Sequence, residues 1–108
     1  MRHFATVVIG GGAAGIMAAG VAASRGGNVL LCERMEKPQR KVRITGKGRC
    51  NLTNLCSEEE FLAKVRCGAD FFASALHRFD SEATMRFFER IGVPLTVERG
   101  RRVFPSSG

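Results

Sequence analysis

Six consecutive residues near the start of the chain, Gly10-Gly11-Gly12-Ala13-Ala14-Gly15, and one acid further on, Glu33, have the types and spacing that can hold a dinucleotide. The pattern G-x-G-x-x-G is weak by itself. Here it follows an apolar, β-branched run and opens an Ala-rich one, and Glu33 closes a second β-like run 18 residues after Gly15. Each position has a physical job. Gly10 permits a tight strand-to-helix turn. Gly12, without a Cβ, lets the main chain approach a diphosphate. Gly15 lets the helix pack close to the sheet, and Ala19 one turn on keeps that contact small. The free N–H groups of Ala13 and Ala14 at the helix head, with the helix dipole behind them, offset phosphate charge. Glu33 can accept hydrogen bonds from ribose hydroxyls. A carboxylate there repels a 2′-phosphate, which disfavours NADP. NAD and FAD both remain open at this point.

A second candidate set is electrostatic. Net charge is +7, and seven of the 17 basic residues lie between Arg34 and Arg49: Arg34, Lys37, Arg40, Lys41, Arg43, Lys47 and Arg49. Such a run reads either as a solvated loop or as an anion-facing loop beside a nucleotide, with Arg34 and Lys41 as candidate contacts. A nucleic-acid-binding module using Arg34–Arg49 is the non-enzymatic alternative. The absence of aromatic residues within that run argues against base stacking, so no nucleic acid is expected as partner. The four cysteines, Cys32, Cys50, Cys56 and Cys67, form no C-x-x-C pair, and His3 and His77 stand far from any thiol pair. Neither a metal site nor a disulfide framework is expected, and each thiol reads as a small buried apolar group in a cytoplasmic protein. No residue stands out as a general acid or base. His77 sits in a Phe-rich helical stretch and reads as a core or surface histidine.

The elements that must position these residues follow from periodicity. His3–Ile9 reads as a strand buried on both faces of a parallel sheet. Ala13–Ser24 is apolar nearly all round and reads as a helix buried against that sheet. Gly26 and Gly27 stop it. Asn28–Glu33 reads as the second strand of a right-handed βαβ crossover. Residues 4 to 23 carry no charge. The three glycines at the centre of that stretch argue against a membrane helix, so no membrane partner is expected. Arg34–Asn54 reads as irregular. Ser57 reads as an N-cap for a helix through Val65, ended by Gly68. A second helix spans Asp70–Phe79, and a third, capped by Asp80 or Ser81, runs to Ile91 before Gly92. Phe79, Phe87 and Phe88 read as core. Leu95–Glu98 and Arg102–Phe104 flank Arg99-Gly100-Arg101 as a hairpin.

A further block, Ile44-Thr45-Gly46-Lys47-Gly48-Arg49-Cys50-Asn51-Leu52-Thr53-Asn54, is far more specific than the glycine fingerprint. Together with Gly10–Gly15, Gly92-Val93-Pro94 and Gly100-Arg101-Arg102-Val103-Phe104-Pro105, it resembles the BaiN-type family of NAD(P)/FAD-dependent oxidoreductases, some of them described as aminoacetone-oxidase-like, colinearly over the whole chain. The resemblance implies an α/β fold: the N-terminal part of a Rossmann-like FAD-binding domain, incomplete over residues 1–108, with a βαβ unit, a basic Gly-rich loop, short helices and a β-hairpin. It implies non-covalent FAD, NAD(P)H as a possible electron donor and a small-molecule substrate for the intact enzyme. It also places Gly48, Arg49, Cys50, Asn51 and Thr53 in a loop along the cofactor. Cys50 has no partner thiol nearby in sequence and reads as packed and inert. Two departures stand out: Gln39 where a Gly often precedes the Arg40-Lys41 pair, and Lys47 where a Gly is common. The chain is several times shorter than family members, so the isolated chain is expected to bind FAD weakly or not at all.

Overall fold

The computed structural model describes residues 1–38 and 40–106; Gln39 lies outside them. The chain divides into two compact units, residues 1–48 and 49–108.

The first unit is built around β1 (Thr6–Ile9), α1 (Ala13–Ser24) and β2 (Val29–Cys32). The strands pair in parallel, with Val8 opposite Leu31 and Ile9 opposite Cys32. Hairpin closure cannot join parallel strands, so the chain between them crosses over as α1. The glycine punctuation predicted for α1 holds. Its N-cap is Gly12, and it stops at Arg25 with Gly26 at φ 86. Strand alternation sorts the side chains into two layers. Val8, Val29 and Leu31 are half-buried on the face that packs against α1. Val7 and Ile9 on the other face are 53% and 87% exposed, and Leu30 is 37% exposed. The expected burial of β1 on both faces is therefore not observed. Among the described residues only one face of this two-stranded sheet is covered. Likewise, no residue of α1 is fully buried.

The segment after Glu33 is less irregular than its composition indicates. It contains α2 (Arg40–Ile44) and a 3₁₀ turn at Thr45–Gly48. Gly46 and Lys47 both sit at φ 57 within that turn. Lys47 thus holds a left-handed conformation that a glycine adopts without strain, which gives the sequence departure at this position a backbone meaning.

The second unit holds a three-stranded antiparallel sheet in the order β3 (Thr53–Asn54), β5 (Arg102–Pro105), β4 (Leu95–Glu98). The β4–β5 hairpin is as expected; β3, which pairs Thr53 with Val103, is not evident in the sequence. Three helices accompany it: α3 (Glu58–Ala63), α4 (Ala69–Arg78) and α5 (Ser81–Arg90). Ser57 Oγ accepts from Glu60 N–H and the Glu60 carboxylate accepts from Ser57 N–H, a complete capping box. α3 ends at Ala63, sooner than expected, and Gly68 is instead the left-handed N-cap of α4. Asp80 caps α5 by accepting from Ala83 N–H at 2.8 Å. The core of this unit is Leu76, Val103 and Phe104, with Val103 fully enclosed.

The phenylalanines are the main correction. Phe79 is 41% exposed, and Phe87 and Phe88 are half-buried, joined edge-on in the series Phe79–Phe87–Phe88 with centroids 6.0 and 5.2 Å apart. Only Phe104, on a strand, is buried among the described residues. Amphipathic helices of about ten residues on a three-stranded sheet leave aromatic edges in water. The thiols also depart from expectation: Cys32 and Cys67 are exposed, and Cys50 and Cys56 half-buried. Cys32 is the last residue of β2, on its uncovered face.

Candidate dinucleotide-binding site

The glycine turn and Glu33 form one local structure in the first unit. Gly10 leaves β1 at φ 104, a conformation closed to other residue types without strain. A Cβ on Gly15 would overlap the Gly10 carbonyl oxygen and stand 3.0 Å from its carbonyl carbon, so only glycine lets α1 begin this close to the turn. At Gly12 the position of a Cβ faces open space, with no atom within 4 Å. No side chain caps α1 and no acid lies in its first turn. The N–H groups of Ala13 and Ala14, both exposed, therefore face outward at the positive end of a twelve-residue helix. Open space at Gly12, unpaired N–H donors and a first turn of α1 without an acid suit a diphosphate.

Glu33 follows β2 and folds back over this turn. Its Oε1 accepts from Gly11 N–H at 2.8 Å, and its Oε2 accepts from Met35 N–H at 2.6 Å. The bond from Met35, then that from Gly11, holds the carboxyl below its ordinary range against an opposing desolvation, and attraction to Arg34 adds to the lowering. Each oxygen keeps acceptor capacity beyond these bonds, so ribose hydroxyls can still be received. Gly11, given no role of its own in the sequence pattern, is the buried link between the two halves of this arrangement. A Cβ there would press on Pro38 at 3.1 Å and on Glu33 at 3.3 Å. The signal was present: the first free position of the G-x-G turn is itself a glycine. Arg34 and Lys41 are exposed, and Gly48 ends the 3₁₀ turn at φ 87 with open space on its Cβ side.

In the second unit, the positions drawn from the Gly-rich block take different environments. Arg49 donates from both terminal nitrogens to Glu98, at 2.9 and 2.5 Å, and its guanidinium lies 4.4 Å over the ring of Phe104. The Glu98 bond raises the Arg49 pKa, and the Glu98 carboxyl is lowered in turn. Cys50 is half-buried at φ 62, and Asn51 is exposed. Thr53 lies in β3, and its hydroxyl donates to Ser81 Oγ at 3.4 Å, while Ser81 donates to the Asn54 carbonyl at 2.5 Å. The Thr53 hydroxyl is thus turned to the interior. Glu98, Phe104 and Ser81 escaped sequence reasoning because nothing local ties them to residues 49–53. His77 is a surface residue, 3.3 Å from Glu58. A cleft of about 420 Å³ in this unit, lined by Cys56, Glu60, Phe61, Lys64 and Arg101 among others, includes none of the predicted cofactor positions. Among the described residues, no helix is long and apolar enough to cross a membrane.

A parallel β1–α1–β2 unit with a glycine-only turn and a trailing acid defines the N-terminal part of a Rossmann domain. A model of the HI0933-like protein Rossmann domain matches residues 4–108, and the chain belongs to this flavoprotein oxidoreductase family. It is 39% identical over 104 residues to a 3-dehydro-bile acid Δ(4,6)-reductase of Clostridium scindens, covering 93% of this chain and 24% of that protein. It is 42% identical over 79 residues to a ribosomal RNA dihydrouridine synthase of Escherichia coli, covering 73% of this chain and 19% of that protein. The chain thus spans a quarter or less of the curated relatives it matches.

Proposed function

We propose that this chain supplies the adenine-dinucleotide cradle of an FAD-dependent oxidoreductase. The observation that carries this is the Glu33 carboxylate hydrogen-bonded to Gly11 N–H, which sets a sugar-binding acid beside the open helix head. In this role the N–H groups of Ala13 and Ala14 receive the diphosphate, and Gly12 leaves the main chain bare for its approach. Glu33, already fixed through Gly11 and Met35, accepts from ribose hydroxyls. Arg34, Lys41 and Gly48, in the same unit, add positive potential and a bare main chain; Cys50 and Asn51 are cofactor positions that the family resemblance alone supports. Bound FAD would supply the hydride or electron-pair chemistry. NAD(P)H is one candidate donor for the intact enzyme, and a small molecule its substrate. The isolated chain is expected to be inactive and cytoplasmic.

The test is a fluorescence titration with FAD and with NAD at protein concentrations high enough to read the weak binding expected of so short a chain, with chromatography of any cofactor released on denaturation. Saturable FAD uptake that outcompetes NAD supports the proposal. Uptake of NAD alone makes the chain part of a nicotinamide dehydrogenase. A polyanionic substrate is a second reading, favoured by one observation: Arg34, Lys37, Lys41, Arg43 and Lys47 are exposed with no ion pair among the described residues. The ribosomal RNA relative makes RNA the polyanion to try, and binding that falls steeply with salt would support it.

A further inference from the structure

We propose that Arg49 is a positioning residue, seated by Glu98 and Phe104, and that it does not itself contact the cofactor phosphates. The inference rests on the flavoprotein reading and refines it. An arginine that recognises phosphate offers its planar fork of N–H donors. Here one N–H from each terminal nitrogen is spent on the two oxygens of Glu98, and the flat face is spent on Phe104. An approaching diphosphate would meet an ion pair of zero net charge.

The sheet explains how the seat is built. Glu98 stands opposite Arg102, and Thr96 opposite Phe104, in the β4–β5 register. Glu98 and Phe104 therefore share a sheet face, and the guanidinium bridges them. Beyond Arg49 the backbone turns through the left-handed Cys50. It then joins β5 through Leu52 N–H to the Val103 carbonyl at 2.8 Å, and Leu55 N–H to the Arg101 carbonyl at 2.9 Å. The clamp at Arg49 and the ladder from Leu52 onward pin Cys50 and Asn51 between them. These two residues, with their main chain, are what the segment presents. Arg49 acts on the cofactor by fixing that backbone.

The experiment compares the parent chain with Glu98→Gln, Arg49→Glu and the charge-swapped double variant Arg49→Glu/Glu98→Arg. It reads FAD affinity by fluorescence and amide exchange at Leu52 and Leu55. Each single variant is expected to speed exchange about two- to five-fold, as suits a half-exposed pair, and to weaken FAD binding by a similar factor. The double variant is expected to recover most of both losses. Tighter FAD binding by Glu98→Gln overturns the proposal, since deleting a competing negative charge would free a phosphate-binding Arg49. So does a double variant with parental exchange but lost FAD binding. So does unchanged exchange in the single variants. A parent chain that takes up NAD in preference to FAD refutes the flavoprotein reading and the cofactor half of this proposal together; in that case exchange that quickens in both single variants and is restored in the double variant still upholds the clamp.

Discussion

Glycines 12 and 15 stand three residues apart, yet alanine at each should fail for a different reason. At Gly15 the added methyl would overlap the Gly10 carbonyl, a backbone group with no rotamer by which to retreat. Either α1 moves away from the sheet or the turn opens. Overpacking of this kind costs about 3 kcal/mol where the obstacle is rigid. That is roughly a hundredfold in an equilibrium constant. Gly15→Ala should therefore lower the urea midpoint of the first unit, and weaken FAD binding by up to about a hundredfold where the strain is relieved by opening the turn. At Gly12 the residue has φ −80, and the methyl would point into open space. Gly12→Ala should cost less than about 1 kcal/mol in stability, the difference between two N-cap residues. It should still weaken FAD about tenfold or more, because the open space is where the diphosphate must come. Urea unfolding followed by circular dichroism and FAD fluorescence titration would be run on both variants. A Gly15→Ala protein of parental stability would refute the packing argument. A Gly12→Ala protein that binds FAD as the parent does would refute the placement of the phosphates.

Other expectations are separable from that one. The Glu33 carboxyl is held below its ordinary value of 4.5 in the folded chain, so its bonds are intact above that pH and are lost as pH falls through the lower folded value. FAD affinity should decline in acid below about pH 4.5, and Glu33→Gln should remove that decline. Glu60 is lowered to about 2, chiefly by its hydrogen bond to Arg101 and then by Ser57 N–H. By the same sign, the start of α3 should stay ordered through pH 4.5 and fray only as pH approaches 2, which amide shifts of residues 58–61 would follow. Ser57→Ala deletes one half of the capping box and should lower stability by about 1 kcal/mol in urea unfolding. Val103→Ala removes two methyl groups from the most enclosed side chain and should cost about 2 kcal/mol by the same assay.

What could be read in the amino-acid order was what glycine and capping chemistry dictate locally. Gly10 to Gly15 and Gly26 bound α1 to the residue, Ser57 marked the start of α3, and Asp80 was one of two cap candidates for α5. The β4–β5 hairpin was legible from Gly100 between two apolar runs. Partners distant in sequence were not legible. β3 exists because Thr53 and Asn54 find β5 some fifty residues later, and two polar residues carry no strand periodicity. Arg49 was foreseen beside the cofactor; its pairing with Glu98, far along the chain, was not. Burial was overestimated for Val7, Ile9, Phe79 and the thiols, because an apolar residue records an environment it can accept and not one that the rest of the chain supplies.

The sheet of the first unit has one further consequence. Its two strands hold each other, and α1 is the helix laid across both. With so few members, none of the three can let go while the others stay. Melting of α1 would strip the shelter from Val8 and Leu31, and parting of the strands would leave the helix nothing to lie on. The amides from Thr6 to Cys32 should therefore trade their protons for deuterons at a common pace, as one event, with the nucleotide cradle appearing and vanishing in step with it.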